Sequence, residues 1–158
     1  MASLTGSGMS LNLPAGWEAE IKSASPSARN GTDDRVLGET HHSLTHAANF
    51  PLPPDRGDFG SGAVEVMRSV DVLMVLFEYH PSNASKVLFE ASGLPAALKA
   101  SDFDPNSMQR PLRGQSGTQK FFNEAGRAFC LYVVLGSHAN RSDLLKQVNA
   151  ALTGWTIT

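Results

Sequence analysis

Two runs in the chain are apolar at every position: Val72-Leu73-Met74-Val75-Leu76-Phe77 and Phe129-Cys130-Leu131-Tyr132-Val133-Val134-Leu135. Runs of this length predict strands covered on both faces, because a half-exposed strand would alternate with polar residues. Alternation does occur earlier. After the turn signal Pro14-Ala15-Gly16, the residues Trp17, Ala19 and Ile21 alternate with Glu18, Glu20 and Lys22, which predicts a half-buried edge strand. From 42 to 50 the even positions are His42, Leu44, His46, Ala48 and Phe50, and the odd ones Ser43, Thr45, Ala47 and Asn49. A strand with one mostly apolar face is expected there, ended by Pro51, Pro53 and Pro54. The period changes to helical spacing at Leu144, Leu145, Val148, Ala151 and Leu152, with Asn140 placed as N-cap and Gly154 as terminator.

The connections follow from the breakers. Gln119 to Asn123 runs into Glu124-Ala125-Gly126, where glycine accommodates the positive φ of a bulged hairpin turn, and Arg127 leads into the second apolar run. Trp155 and Ile157 alternate with Thr156 and Thr158, predicting a short last strand that returns to the sheet. Short helices are expected near 63–69 and after Pro81, the latter capped by Ser82 or Asn83, carrying Val87, Leu88 and Phe89 and ended by Gly93. Residues 23–40 and 99–117 read as loops, with a short strand around 108–112 in the second. Residues 1–9 are Ser/Gly-rich, without the basic start and apolar centre of a secretory signal, and read as a flexible leader in which Met9 is a candidate natural start. The expectation is one α+β domain over 10–158: a mainly antiparallel sheet with a C-terminal helix packed on it.

Composition narrows the class. Of 158 residues, 41% are apolar and 18% charged, which argues against disorder, and no run approaches the ~20 apolar residues of a membrane span. A soluble globular chain without membrane contact is expected. The net charge of −2 indicates no general nucleic-acid scaffold. A single cysteine excludes an internal disulfide and multi-cysteine metal sites, and with no export signal it points to the cytoplasm.

The segments Leu13-Pro14-Ala15-Gly16-Trp17, Gly126 to Leu135 and Leu144 to Ile157 resemble the PsbP-like class, which includes photosystem extrinsic subunits, a nuclear import factor that binds a small GTPase, and bacterial lipoproteins. The resemblance implies an α+β, non-catalytic binding module. Residues 46–53 and 126–136 also resemble uncharacterised small bacterial proteins, which implies no chemistry.

Catalytic constellations are sparse. In His41-His42-Ser43-Leu44-Thr45-His46 two imidazoles, His42 and His46, share a face, and Asp55, Asp58, Glu78 or His80 would have to complete a zinc site. Glu78-Tyr79-His80 at a strand end could form an acid–base pair, but no nucleophile accompanies it. Cys130 lies within an apolar run and reads as core. Arg56-Gly57-Asp58 reads as a simple turn, and Asp102, Asp104 and Asn106 start a calcium-loop pattern that fails at Ser107 and Arg113, where Gly and Glu belong. Asn30, Asn83 and Asn140 fit the glycosylation triplet, which matters only in a secretory compartment.

The remaining local feature is positive charge. Arg110, Arg113, Lys120 and Arg127 fall in a stretch with one acid, Glu124, amid Gly114, Ser116, Gly117 and Thr118, a composition suited to a carboxylate or phosphate. These four are the candidate partner- or anion-binding residues; no catalytic residue, metal ligand or cofactor is predicted. The function expected is a non-catalytic protein-interaction or structural/assembly module, with a protein partner or a second copy, or an anionic surface or ligand, and without nucleic acid. The alternative is a small metal-dependent hydrolase built on His42, His46, Glu78 and His80.

Overall fold

The computed structural model describes residues 2–23 and 42–158, so His41, Asn30 and nearly all of the expected 23–40 loop lie outside the described residues. In chain order the described strands are β1 (Ala2–Gly6), β2 (Met9–Leu13), β3 (Glu18–Lys22), β4 (Leu44–Ala48), β5 (Val72–Tyr79), β6 (Ser116–Glu124), β7 (Arg127–Leu135) and β8 (Trp155–Ile157). One α-helix, α1 (Arg141–Thr153), stands between β7 and β8.

The two apolar runs are neighbours: β5 and β7 pair antiparallel from Val72 opposite Leu135 to Tyr79 opposite Ala128. Around them a five-stranded sheet forms in the order β3-β4-β5-β7-β6, and a second, three-stranded sheet in the order β1-β2-β8. Both sheets are antiparallel, and the fold is α+β as expected. The last strand returns to the smaller sheet, where Trp155 faces Leu11 and Ile157 faces Met9. Residues 2–6, expected as part of a flexible leader, pair with β2 along its whole length.

One face of the large sheet packs on the small sheet and α1. Met74, Leu76, Leu131 and Val133 meet Leu11, Leu13, Trp155 and the helix residues Leu144, Val148, Ala151 and Leu152, whose spacing supplies one apolar stripe. The other face carries Leu44, Val75, Phe77, Tyr132 and Val134, and irregular segments with Phe50, Val64 and Met108 cover it. In β4 the polar odd positions are therefore buried too: Thr45 donates its hydroxyl to Met9 Sδ at 3.5 Å. Water does not solvate that face: β2 brings Met9 to Thr45, and Glu78 of β5 accepts the Ser43 hydroxyl.

Several local elements differ from expectation. Residues 64–66, 81–85 and 87–89 are short 3-10 turns, and the second turn is N-capped by His80, whose Nδ1 accepts from the Ser82 backbone N–H at 3.1 Å. Val87 and Leu88 are exposed, so that segment has no amphipathic helix. No strand forms at 108–112; instead the Gln109 N–H donates to the Tyr132 hydroxyl at 2.8 Å. Asn140 caps α1 without a side-chain bond, and the Ser137 hydroxyl accepts the Asn140 N–H instead. The β6–β7 hairpin turns through two residues, Ala125 (φ 55°) and Gly126 (φ 75°), with Glu124 opposite Arg127. Two positive φ values define a type I′ turn, with no bulge.

Two stability measurements check this account. Leu131→Ala, at a fully buried centre of β7, should cost about 2–5 kcal/mol in denaturant unfolding. Ala125→Gly should stabilise by about 1 kcal/mol, because it relieves an alanine of its left-handed backbone.

Candidate functional site

The four predicted cations are not brought together. Arg110 and Arg113 precede the start of β6 while Arg127 begins β7 at the other end of the hairpin, roughly 27 Å away along a strand rising ~3.4 Å per residue. Three of the four meet carboxylates: Arg110 meets Glu65 at 3.8 Å, Lys120 meets Asp102 at 2.8 Å, and Arg127 meets Glu78 at 2.9 Å. Burial pushes the Asp102 carboxyl up, but hydrogen bonds from the Lys120 ammonium and the Lys99 backbone, together with the nearby charges, outweigh it and hold it below its ordinary value. Arg113 is exposed and meets no carboxylate among the described residues.

Arg127 ties the two sheets together. Its Nε and NH2 donate to the two Glu78 oxygens at 2.9 Å each, a bidentate pair, while Ser43 Oγ donates to Glu78 Oε1 at 2.7 Å. The other donors of the guanidinium reach the backbone oxygens of Ser7 at 2.7 Å and Thr158 at 3.0 Å. Hydrogen bonding to Glu78 raises the Arg127 pKa further, so its charge is permanent. The geometry is structural: one side chain on β7 holds the β1–β2 turn and the end of β8 against the large sheet.

What Arg127 holds in place borders a groove of about 500 Å³, lined by Leu94, Pro95, Ala96, exposed Thr153 and Thr156, and the buried Leu152, Trp155 and Ile157, with Glu124 as its charged residue. On one side runs β8. Asn12 N–H donates to Gly154 O and Thr158 N–H to Gly8 O, each at 2.8 Å, so the even-numbered residues of this segment pair with β2. In an antiparallel ladder the intervening residues then point their N–H and C=O the other way. For Trp155 and Ile157 that direction is away from β2, on the edge of the small sheet where no further strand pairs among the described residues. Gly154 lets this geometry form, because a Cβ there would overlap the Asn12 carbonyl oxygen.

The opposite wall, Leu94 to Ala96, is irregular yet pinned at both ends. Glu124 Oε1 accepts the Leu94 N–H and Asn123 O accepts the Gly93 N–H, each at 2.7 Å. Beyond the wall, Asn149 on α1 accepts the Leu98 N–H at 2.8 Å and donates to the Leu98 carbonyl at 3.1 Å. Sequence reading missed this groove. The alternation of Trp155 and Ile157 was its only trace, because the wall comes from a segment sixty residues away.

The histidine cluster is dispersed. His46 is buried on the face of the large sheet opposite Glu78; Arg56 Nε donates to its Nδ1 at 2.9 Å, which leaves Nε2 to donate to the Asp58 carbonyl at 2.8 Å. Burial pushes its imidazole below the ordinary value of 6.5. Arg56 is thus turned inward, its side chain 4% exposed, and the Arg56-Gly57-Asp58 turn does not present it to solvent. His42 and His80 meet edge to face with ring centroids 5.0 Å apart. Among the described residues no three His, Cys, Asp or Glu side chains are arranged to hold a metal ion, and Cys130 is buried.

Fold and site together define a small α+β protein with two antiparallel sheets and a strand-edge groove. No protein-family model, curated protein or solved structure matches the chain. No helix among the described residues is long and apolar enough to cross a membrane.

Two measurements check these contacts. Arg127→Met should destabilise by about 3–5 kcal/mol by leaving the Glu78 carboxylate buried without its counter-charge, and adding Glu78→Gln should restore part of the loss. For His46 the folded pKa lies below the unfolded one, so its contribution is complete above pH 6.5 and is lost as pH falls, when the unfolded chain takes up the proton first. Unfolding free energies measured from above pH 6.5 down into the acid range should therefore fall less steeply in His46→Gln.

Proposed function

We propose that this protein is a non-catalytic protein-binding module whose contact surface is the groove beside β8. The observation that carries the reading is the outward backbone edge of Trp155 and Ile157, unpaired among the described residues, along a walled groove of mixed apolar and threonine lining. Support comes from the polar clusters elsewhere: His46, Glu78 and Arg127 spend their hydrogen-bonding groups on holding loops and sheets together. The resemblance to PsbP-like binding domains implies the same class of function. A structural or assembly role would use the same groove, with a partner met in the cytoplasm, which a lone buried cysteine fits. Arg113, exposed and free of any carboxylate among the described residues, gives the module a separate place to meet an anionic group.

A photo-crosslinking residue tests this directly. Placed at Ala96 on the groove wall, it should yield covalent adducts with a protein partner in cell extract; placed at Lys146, exposed on α1, it should not. Equal adducts from both positions, or none from Ala96, would sink the reading.

A further inference from the structure

We infer that the groove takes an extended peptide segment of a partner protein, which adds to β8 as a fourth strand of the β1-β2-β8 sheet. This rests on the reading of the groove as the contact surface and specifies what enters it. The outward N–H and C=O groups of Trp155 and Ile157 lie two residues apart along the strand, spaced as the repeat of an antiparallel or parallel ladder requires. A strand that pairs with them satisfies all four groups at once, whereas a compact small molecule reaches one or two. The edge is short, so backbone bonds alone give little affinity; half-buried Leu94 and Pro95 with exposed Ala96 supply apolar surface for the incoming strand, and exposed Thr153 and Thr156 flank it.

The wall decides against a second copy of this chain. Leu94 to Ala96 faces β8 across the groove and is fastened to β6 through Glu124 and, beyond it, to α1 through Asn149. Symmetric pairing of two β8 edges has to bring two such walls to one seam, whereas a single extended segment brings none of its own. Charge sets a further preference. Glu124 is the one charged side chain on the lining, so a neutral or basic peptide is favoured over an acidic one.

Selection from a phage-displayed library of short linear peptides against the full chain, followed by synthesis of the enriched sequence, supplies the probe. The synthetic peptide should protect the Trp155 and Ile157 amides from hydrogen exchange. N-methylation at successive peptide positions should alternate in effect, with about tenfold weaker binding at one set of positions and little change at the other, since only every second amide faces β8. Glutamate substitutions in the peptide should weaken binding more than lysine substitutions.

Uniform tolerance of N-methylation, protection of amides elsewhere, or no enriched peptide would overturn the inference. A concentration-dependent dimer that protects the same two amides without peptide would also overturn it, in favour of a second copy. If the Ala96 crosslinker captures a partner while peptides fail, the strand-addition inference falls and the groove reading stands. If both fail, both fall.

Discussion

Because β5 and β7 pair along their lengths in the middle of a sheet and are apolar on both faces, the remainder of the chain has to supply two covers. Leaving either face to water would expose a continuous sheet of Leu, Val and Phe. One cover is regular: the small sheet and α1, which bring Leu11, Leu13, Trp155, Val148 and Leu152 onto Met74, Leu131 and Val133. The other is made of irregular chain that brings Phe50, Val64 and Met108 onto Val75 and Tyr132. Loops can serve as a cover only if they are fastened, and His46 supplies such a fastening by bonding Arg56 and the Asp58 carbonyl from inside the sheet.

The join between the two sheets explains why a charged residue sits at the entrance of the most apolar strand. Arg127 begins β7 on the face that meets the small sheet, and Glu78, next to last in β5, lies on that same face. Each would be costly to bury alone; paired in a bidentate contact, with Ser43 on the carboxylate and backbone oxygens on the remaining guanidinium groups, they lock the β1–β2 turn and the β8 end in one position. The β8 edge is therefore held rigidly where it borders the groove. A strand edge that floated would lose, on binding, the entropy this ion pair has already removed.

The elements of this fold were largely legible in the chain. Unbroken apolarity at 72–77 and 129–135 identified the central pair, alternation at 17–22 the edge strand, and helical spacing at 144–152 the helix, because each pattern reflects the local period of the backbone against a buried face. Even the hairpin position was visible in Glu124-Ala125-Gly126. Its turn type was not, since an alanine with positive φ is held there by the register of the strands on either side.

Partnership was decided only by the tertiary structure. Composition placed Arg110, Arg113, Lys120 and Arg127 in one basic stretch, but a hairpin sends its two ends apart, and three of the cations met carboxylates that other segments brought to them, Glu65, Asp102 and Glu78, while Arg113 met none among the described residues. The residues 1–9 carried no apolar pattern that distinguished a strand from a leader, and β1 exists because β2 offers an edge to pair with. The groove has the same origin. Local sequence determines that Trp155 to Ile157 is extended, but which side of it is paired, and what stands across from the unpaired side, depends on β2 and on Leu94 to Ala96, segments far away in the chain. Hydrophobic periodicity reports how a segment meets water; it carries no record of which distant segment replaces the water.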